Sequence, residues 1–245
     1  MSTSQPDAAS VPPIVDSRWL RDRLVTDPDI AVCHVGSTMA GPGPLQNFEF
    51  RHLPGARFVS LDDVLAAPPS GTAGRHPLPS PAEFAEAFGA LGIADNTTVI
   101  AYDDRGGAFA GRLVWMLRIL GQRAALLDGG IEAWATDSDG DMEGGAVETT
   151  SVERSVHDWP LDALADAIDV AQHIRNGGVV IDSRDPARHA GEIEPIDSVA
   201  GHVPGASNLP FADNLDADGR FRSGDELLAR FEPFTERSDR PIVYC

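Results

Sequence analysis

A thiol at the tip of a strand is the group in this chain best equipped for covalent chemistry. Pro241-Ile242-Val243-Tyr244-Cys245 reads as a short apolar strand ending in a cysteine. In α/β folds that position suits a nucleophile, because a following loop can aim backbone N–H groups at the sulfur and favour the thiolate. A thiolate held this way attacks an electrophilic atom, carries the group covalently and surrenders it in a second step. An anionic substrate also needs a cationic partner. Asp182-Ser183-Arg184-Asp185-Pro186-Ala187-Arg188 follows another apolar run and offers two arginines, Arg184 and Arg188. A guanidinium suits an oxyanion because it donates two parallel hydrogen bonds. Asp182, at the strand end, either orients the active-site loop by accepting N–H bonds or simply caps the strand.

The elements that must position these groups occur twice. His52-Leu53-Pro54-Gly55-Ala56 returns as His202-Val203-Pro204-Gly205-Ala206, and Val99-Ile100-Ala101-Tyr102-Asp103 returns as Pro241-Ile242-Val243-Tyr244-Cys245. Ala31–Gly36 likewise matches Val179–Arg184. Three matches in one order and at nearly constant offset define two copies of one domain, 14–136 and 160–245. The stretch 137–159 is rich in Asp, Gly, Glu, Ser and Thr, and reads as an acidic linker. In the first copy, helices are predicted at 17–24, 81–91, 111–120 and 131–134. Strands are predicted at 30–35, 57–60, 98–102 and 123–127. Ser80 is the candidate cap of the second of those helices, and Gly92 ends it. The second copy reads as helix 162–176, strand 179–182, helix 224–231 and strand 242–245. Alternating strands and helices imply an α/β fold, each copy a parallel sheet flanked by helices on both faces. The second copy lacks counterparts of the first copy's last helices and strand, so it is expected to be truncated at its C-terminal side.

Composition narrows the function. The net charge is −19 and the chain has no lysine, which argues against nucleic-acid binding. No apolar run is long enough to span a membrane. No secretion signal is visible, and the two cysteines are too few for a disulfide framework, so reduced thiols in the cytoplasm are expected. Neither cysteine has a C-x-x-C partner and the histidines are scattered, so no metal site is expected. No nucleotide loop or other cofactor signature is present. Cys33, between Val32 and His34, reads as a buried small hydrophobe, and His52 and His202 as structural members of Pro-Gly turns. Asp103, Asp104 and Arg105 are expected to form a fixed ion network.

Taken together, the two H-x-P-G-A turns, Tyr102-Asp103-Asp104-Arg105-Gly106-Gly107 and Leu127-Asp128-Gly129-Gly130-Ile131-Glu132-Ala133-Trp134 resemble a two-domain rhodanese over 14–245. The resemblance implies a thiosulfate or 3-mercaptopyruvate sulfurtransferase. In that family the first domain carries an acid where the second carries the nucleophile, which matches Asp103 opposite Cys245. It further implies that Cys245 takes a sulfane sulfur as a persulfide and passes it to cyanide, a thiol or a carrier protein. Arg188 then aligns with the residue that binds the donor's sulfonate or carboxylate, and Arg184 with a partner of nearby acids. The first copy has Gly36 opposite Arg184 and no arginine opposite Arg188, which argues for one active site. The loop after the cysteine would separate the two donors, and also a Cys-dependent phosphatase or arsenate reductase. A catalytically inactive binding or sulfur-relay module is the remaining alternative.

Overall fold

Parallel neighbours in a sheet require crossovers, and the helices of this chain supply them. A computed structural model describes residues 11–41, 43–70, 74–137, 141–238 and 240–244, and divides the chain into two units, Met1–Pro160 and Leu161–Cys245. The first unit contains β1 (Ile14–Val15), α1 (Ser17–Thr26), β2 (Ile30–Gly36), α2 (Pro44–Phe50), β3 (Arg57–Ser60) and α3 (Pro81–Ala90). It continues through β4 (Thr98–Tyr102), α4 (Ala110–Ile119), β5 (Ala124–Leu127) and α5 (Gly130–Asp137). Its five strands run parallel in the order β1-β5-β4-β2-β3.

Strand periodicity sorts the core into two layers. Ala31, Cys33 and Val35 of β2 face a cluster that includes Phe84 and Phe88 of α3 and Leu113 and Leu117 of α4. Val32 faces the other cluster, with Leu20 of α1, Phe48 of α2 and Trp134 of α5. The helices start where their sequences dictate. The Asp16 carboxylate accepts from Trp19 N, and Ser80 and Glu83 form a reciprocal capping box before Pro81.

The second unit contains α6 (Ala167–Arg175), β6 (Val180–Asp182), α7 (Pro186–Ala190), β7 (Ser207–Asn208), α8 (Gly224–Thr235) and β8 (Ile242–Tyr244). Its three described strands are parallel in the order β7-β6-β8. Thus β7, β6 and β8 repeat β3, β2 and β4. Phe231 and Phe234 of α8 pack on Val179, Ile181 and Leu209. The helix expected over 162–176 is divided: a 3-10 turn covers Leu161–Ala163, and α6 begins at Ala167 because Asp166 and Asp169 form its capping box. The short helices α2 and α7 were not expected from the sequence.

The acidic stretch is laid along the first unit over its described part. His52 and Glu143 exchange backbone hydrogen bonds at 2.9 Å, and Glu143 Oε2 accepts from Gly55 N. Arg154 donates to Gln122 Oε1 at 2.6 Å and lies over the Phe84 and Phe88 rings. Trp159 Nε1 donates to Pro79 O at 2.8 Å, its ring edge-on to Phe84. Among the described residues no helix is long and apolar enough to cross a membrane.

Candidate active site

The site is built around the end of β8. Cys245 itself lies outside the described residues, so its surroundings begin at Tyr244, and four hydrogen bonds fix that residue. Its carbonyl accepts from both the N–H and the hydroxyl of Ser183, each at 2.9 Å. Its phenol accepts from Val203 N at 3.0 Å and donates to Asp182 Oδ2 at 3.1 Å. The first unit uses the same device: Leu53 N donates to Tyr102 Oη at 3.1 Å. A tyrosine thus pins each H-x-P-G-A turn to the strand that precedes residue 103 or 245, which accounts physically for the recurrence of both motifs.

Asp182 is fully buried and stands in register with Tyr244. Its carboxylate accepts from Arg184 N at 3.0 Å, from Arg184 Nη2 at 2.8 Å and from His189 Nδ1 at 3.1 Å. Burial would raise its pKa, but the hydrogen bonds from Arg184, with those from His189 and Tyr244, hold it far below the usual carboxylate range. Both Arg184 and Arg188 are engaged. Arg184 also donates to Gly201 O at 2.7 Å and approaches Glu194 at 3.5 Å. Arg188 Nη2 donates to Glu194 Oε1 at 2.9 Å and to Asp197 Oδ2 at 2.8 Å. Glu194 also accepts from the backbone amides of Asp197 and Ile196; these, with Arg188, lower its pKa. Beside this network a cavity of about 410 Å³ is lined by Arg184, Asp197–Val203 and Tyr244.

The matching position in the first unit corrects one expectation. Among the described residues Asp103 joins no ion network. Its carboxylate, 2% exposed, is caged by four backbone N–H groups: Arg105 and Gly107 on Oδ1, Phe109 and Ala110 on Oδ2, all at 2.8 Å. Asp104 and Arg105 make a separate surface contact at 3.7 Å. The cage needs backbone that only glycine adopts freely, and Gly106 and Gly107 have φ of 66° and 89°. The loop after β4 is therefore an anion cradle filled by its own aspartate, with the N-terminus of α4 completing it. Sulfur carrying a negative charge at the same place would meet the same donors.

Other sequence candidates have structural surroundings. His52 Nδ1 lies 2.8 Å from Phe48 O, and the two rings stack. His202 Nδ1 lies 2.7 Å from His189 O, with those rings stacked at 3.7 Å. Cys33 is fully buried, and burial pushes its thiol up to about 12 despite nearby Arg57. Sequence reasoning passed over Tyr244, His189, Glu194 and Asp197. A phenol before the cysteine in one copy and before its aspartate in the other was the available signal for Tyr244. Acids six and nine residues beyond Arg188, past the end of α7, were a weaker one for its partners. Among the described residues no cluster of His, Cys, Asp and Glu forms a metal site.

Two parallel α/β sheets, one followed by a loop of amides closed on an aspartate and the other ending at Tyr244 beside a buried Asp182–Arg184 pair, define a repeated fold with an anion-binding loop. A model of the rhodanese-like domain matches residues 30–137. The chain is 37% identical over 245 residues to a probable 3-mercaptopyruvate sulfurtransferase of Pseudomonas aeruginosa, covering 95% of this chain and 83% of that one. It is 31% identical over 246 residues to a thiosulfate sulfurtransferase of Azotobacter vinelandii, with 97% and 83% coverage. The crystal structure of SseA from Escherichia coli, described as a rhodanese fold, matches with a TM-score of 0.79 and 31% identity, covering 95% of this chain and 88% of that one. The chain belongs to the rhodanese family of sulfurtransferases.

Proposed function

We propose that this protein transfers a sulfane sulfur from thiosulfate or 3-mercaptopyruvate to a thiophilic acceptor through a persulfide on Cys245. The observation that carries the reading is the amide cage around Asp103, the residue that the internal repeat aligns with Cys245. With thiosulfate, the Cys245 thiolate attacks the outer sulfur. The S–S bond of the donor breaks and its electron pair leaves with sulfite. The enzyme persulfide then yields its terminal sulfur to a second nucleophile, regenerating the thiolate; cyanide would give thiocyanate, and a small thiol or a carrier protein would give a persulfide. Arg188 is assigned to the donor's sulfonate or carboxylate. Arg184, with Asp182, is a positioning group that fixes Tyr244 and hence the strand end before the thiol. The small number of cysteines favours a cytoplasmic setting.

The test is sulfite release from thiosulfate and pyruvate release from 3-mercaptopyruvate, with intact-mass analysis after donor alone. The expected result is a mass gain of one sulfur atom, lost together with turnover in Cys245→Ala. Turnover that survives Cys245→Ala, or a wild-type chain that gains no sulfur from either donor, overturns the reading.

A further inference from the structure

Arg188, the cation assigned to the donor, does not line the cavity beside Tyr244; Asp197 does, and Asp197 is bonded to Arg188. The two acids on Arg188 differ in exposure. Glu194 has a side chain only 5% exposed, and its Oε1 accepts from Ile196 N and Asp197 N besides Arg188. It is a fixed part of the turn. Asp197 has a side chain 40% exposed and meets Arg188 through Oδ2 at 2.8 Å. Both acids share the same nitrogen, Nη2.

From this geometry, we infer that Asp197 is a built-in competitor for the donor anion. It lines the cavity and is bonded to Arg188, and an incoming sulfonate or carboxylate that reaches the guanidinium from the cavity must displace it. Glu194 stays in place and keeps the guanidinium oriented while Asp197 swings out. Asp197 thereby sets donor affinity: it raises the concentration at which a small anion binds, and it disfavours weakly charged ligands that cannot replace a carboxylate on Arg188. The mechanism needs no change in the sheet, because an exposed ion pair contributes little to stability and breaks cheaply. This inference rests on the assignment of Arg188 to the donor.

The experiment is calorimetric titration with sulfate, which shares thiosulfate's charge and tetrahedral shape but cannot donate sulfur, at constant ionic strength. Asp197→Asn and Asp197→Ala are expected to bind sulfate about three- to fivefold more tightly than the wild type, the range an exposed competing ion pair allows. Arg188→Gln is expected to lose binding. Asp218→Asn removes another exposed charge from the second unit, away from Arg188 in sequence, and is expected to leave affinity unchanged. Unchanged affinity in both Asp197 variants, or equal tightening in Asp218→Asn, overturns the competitor role while leaving Arg188 assigned. Sulfate affinity that survives Arg188→Gln, or sulfate binding absent from every variant, overturns the Arg188 assignment itself.

Discussion

Ala110 N donates to Asp103 Oδ2 at 2.8 Å, so the first amide of α4 closes on a carboxylate supplied by the end of β4. Strand, loop and helix are tied at one carboxylate. Asp103→Ala removes the acceptor of four short amide bonds at once. Leaving buried donors unpaired is expected to cost about 3 kcal/mol of first-unit stability, less than a full sum because water enters the vacated space. Asp103→Asn keeps one acceptor oxygen and should fall between that variant and the wild type. Urea unfolding followed by tryptophan fluorescence measures this; a loss below about 1 kcal/mol would mean that the cage does not depend on its anion.

The two tyrosine-to-turn bonds should differ in strength. Tyr102 is 1% exposed, whereas Tyr244 is part-exposed. Tyr102→Phe orphans Leu53 N in a dry site and is expected to cost about 1–2 kcal/mol. Tyr244→Phe leaves Val203 N within reach of water and should cost less. Its larger effect should be on turnover, since Tyr244 fixes the strand end before Cys245. Parallel denaturation curves and donor kinetics separate the two effects; equal stability losses with unchanged turnover would contradict this division.

Acid should weaken the first unit before the ordinary carboxylate range is reached. His34 lies against Phe48, Phe58 and Tyr102, and its Nδ1 is buried without a partner. Burial lowers its pKa below 6.5, outweighing the pull of Asp104 and Asp103. His76 is lowered as well, by burial and by Arg112. Below pH 6.5 the unfolded chain therefore binds protons that the folded chain refuses, and stability falls with pH until the folded imidazoles also titrate. His34→Phe should flatten that slope in part, with His76 accounting for a remainder. Melting temperatures between about pH 8 and 5 provide the check, and an unchanged slope in His34→Phe counts against the assignment.

Cys33 should be silent as a thiol. With its pKa pushed up to about 12 and no exposed surface, it should not react with an aromatic disulfide reagent at about pH 8 while the protein is folded. In Cys245→Ala no thiol should titrate until denaturant is added, and then one should. Rapid labelling of the folded variant would show that β2 opens far more readily than its packing implies.

What the sequence disclosed depended on whether the information was local. Thr98–Tyr102 and Arg57–Ser60 were delimited without error, because apolar runs bounded by turn residues carry their own punctuation. Ser80 announced its capping box through Glu83 three residues on. The repeat gave the tandem arrangement and the pairing of Asp103 with Cys245. By contrast, the cage around Asp103 is made of main-chain donors, which composition does not encode, so neighbouring charges suggested an ion network that does not form. Arg188 and Arg184 were visible as cations and Asp182 as a strand-end acid, but the acids on Arg188, Glu194 and Asp197, are brought to it by the turn between α7 and β7. The helix α7 was missed because five residues are too few to show a period.

The acidic stretch was misleading for a related reason. Its polar residues are numerous, yet Arg154 and Trp159 decide its path, and each does so through a partner more than thirty residues earlier, Gln122 for the first and Pro79 for the second. Where one copy of the repeat ends and where the first body ends are therefore different places. A recombinant first unit cut at 136, where the repeat stops, would be stripped of its own outer wall, leaving the Phe84 and Phe88 rings without their arginine cover and Gln122 Oε1 without its donor. The repeated sequence and the compact body differ by that strap, and a polypeptide carried through to Pro160 restores it.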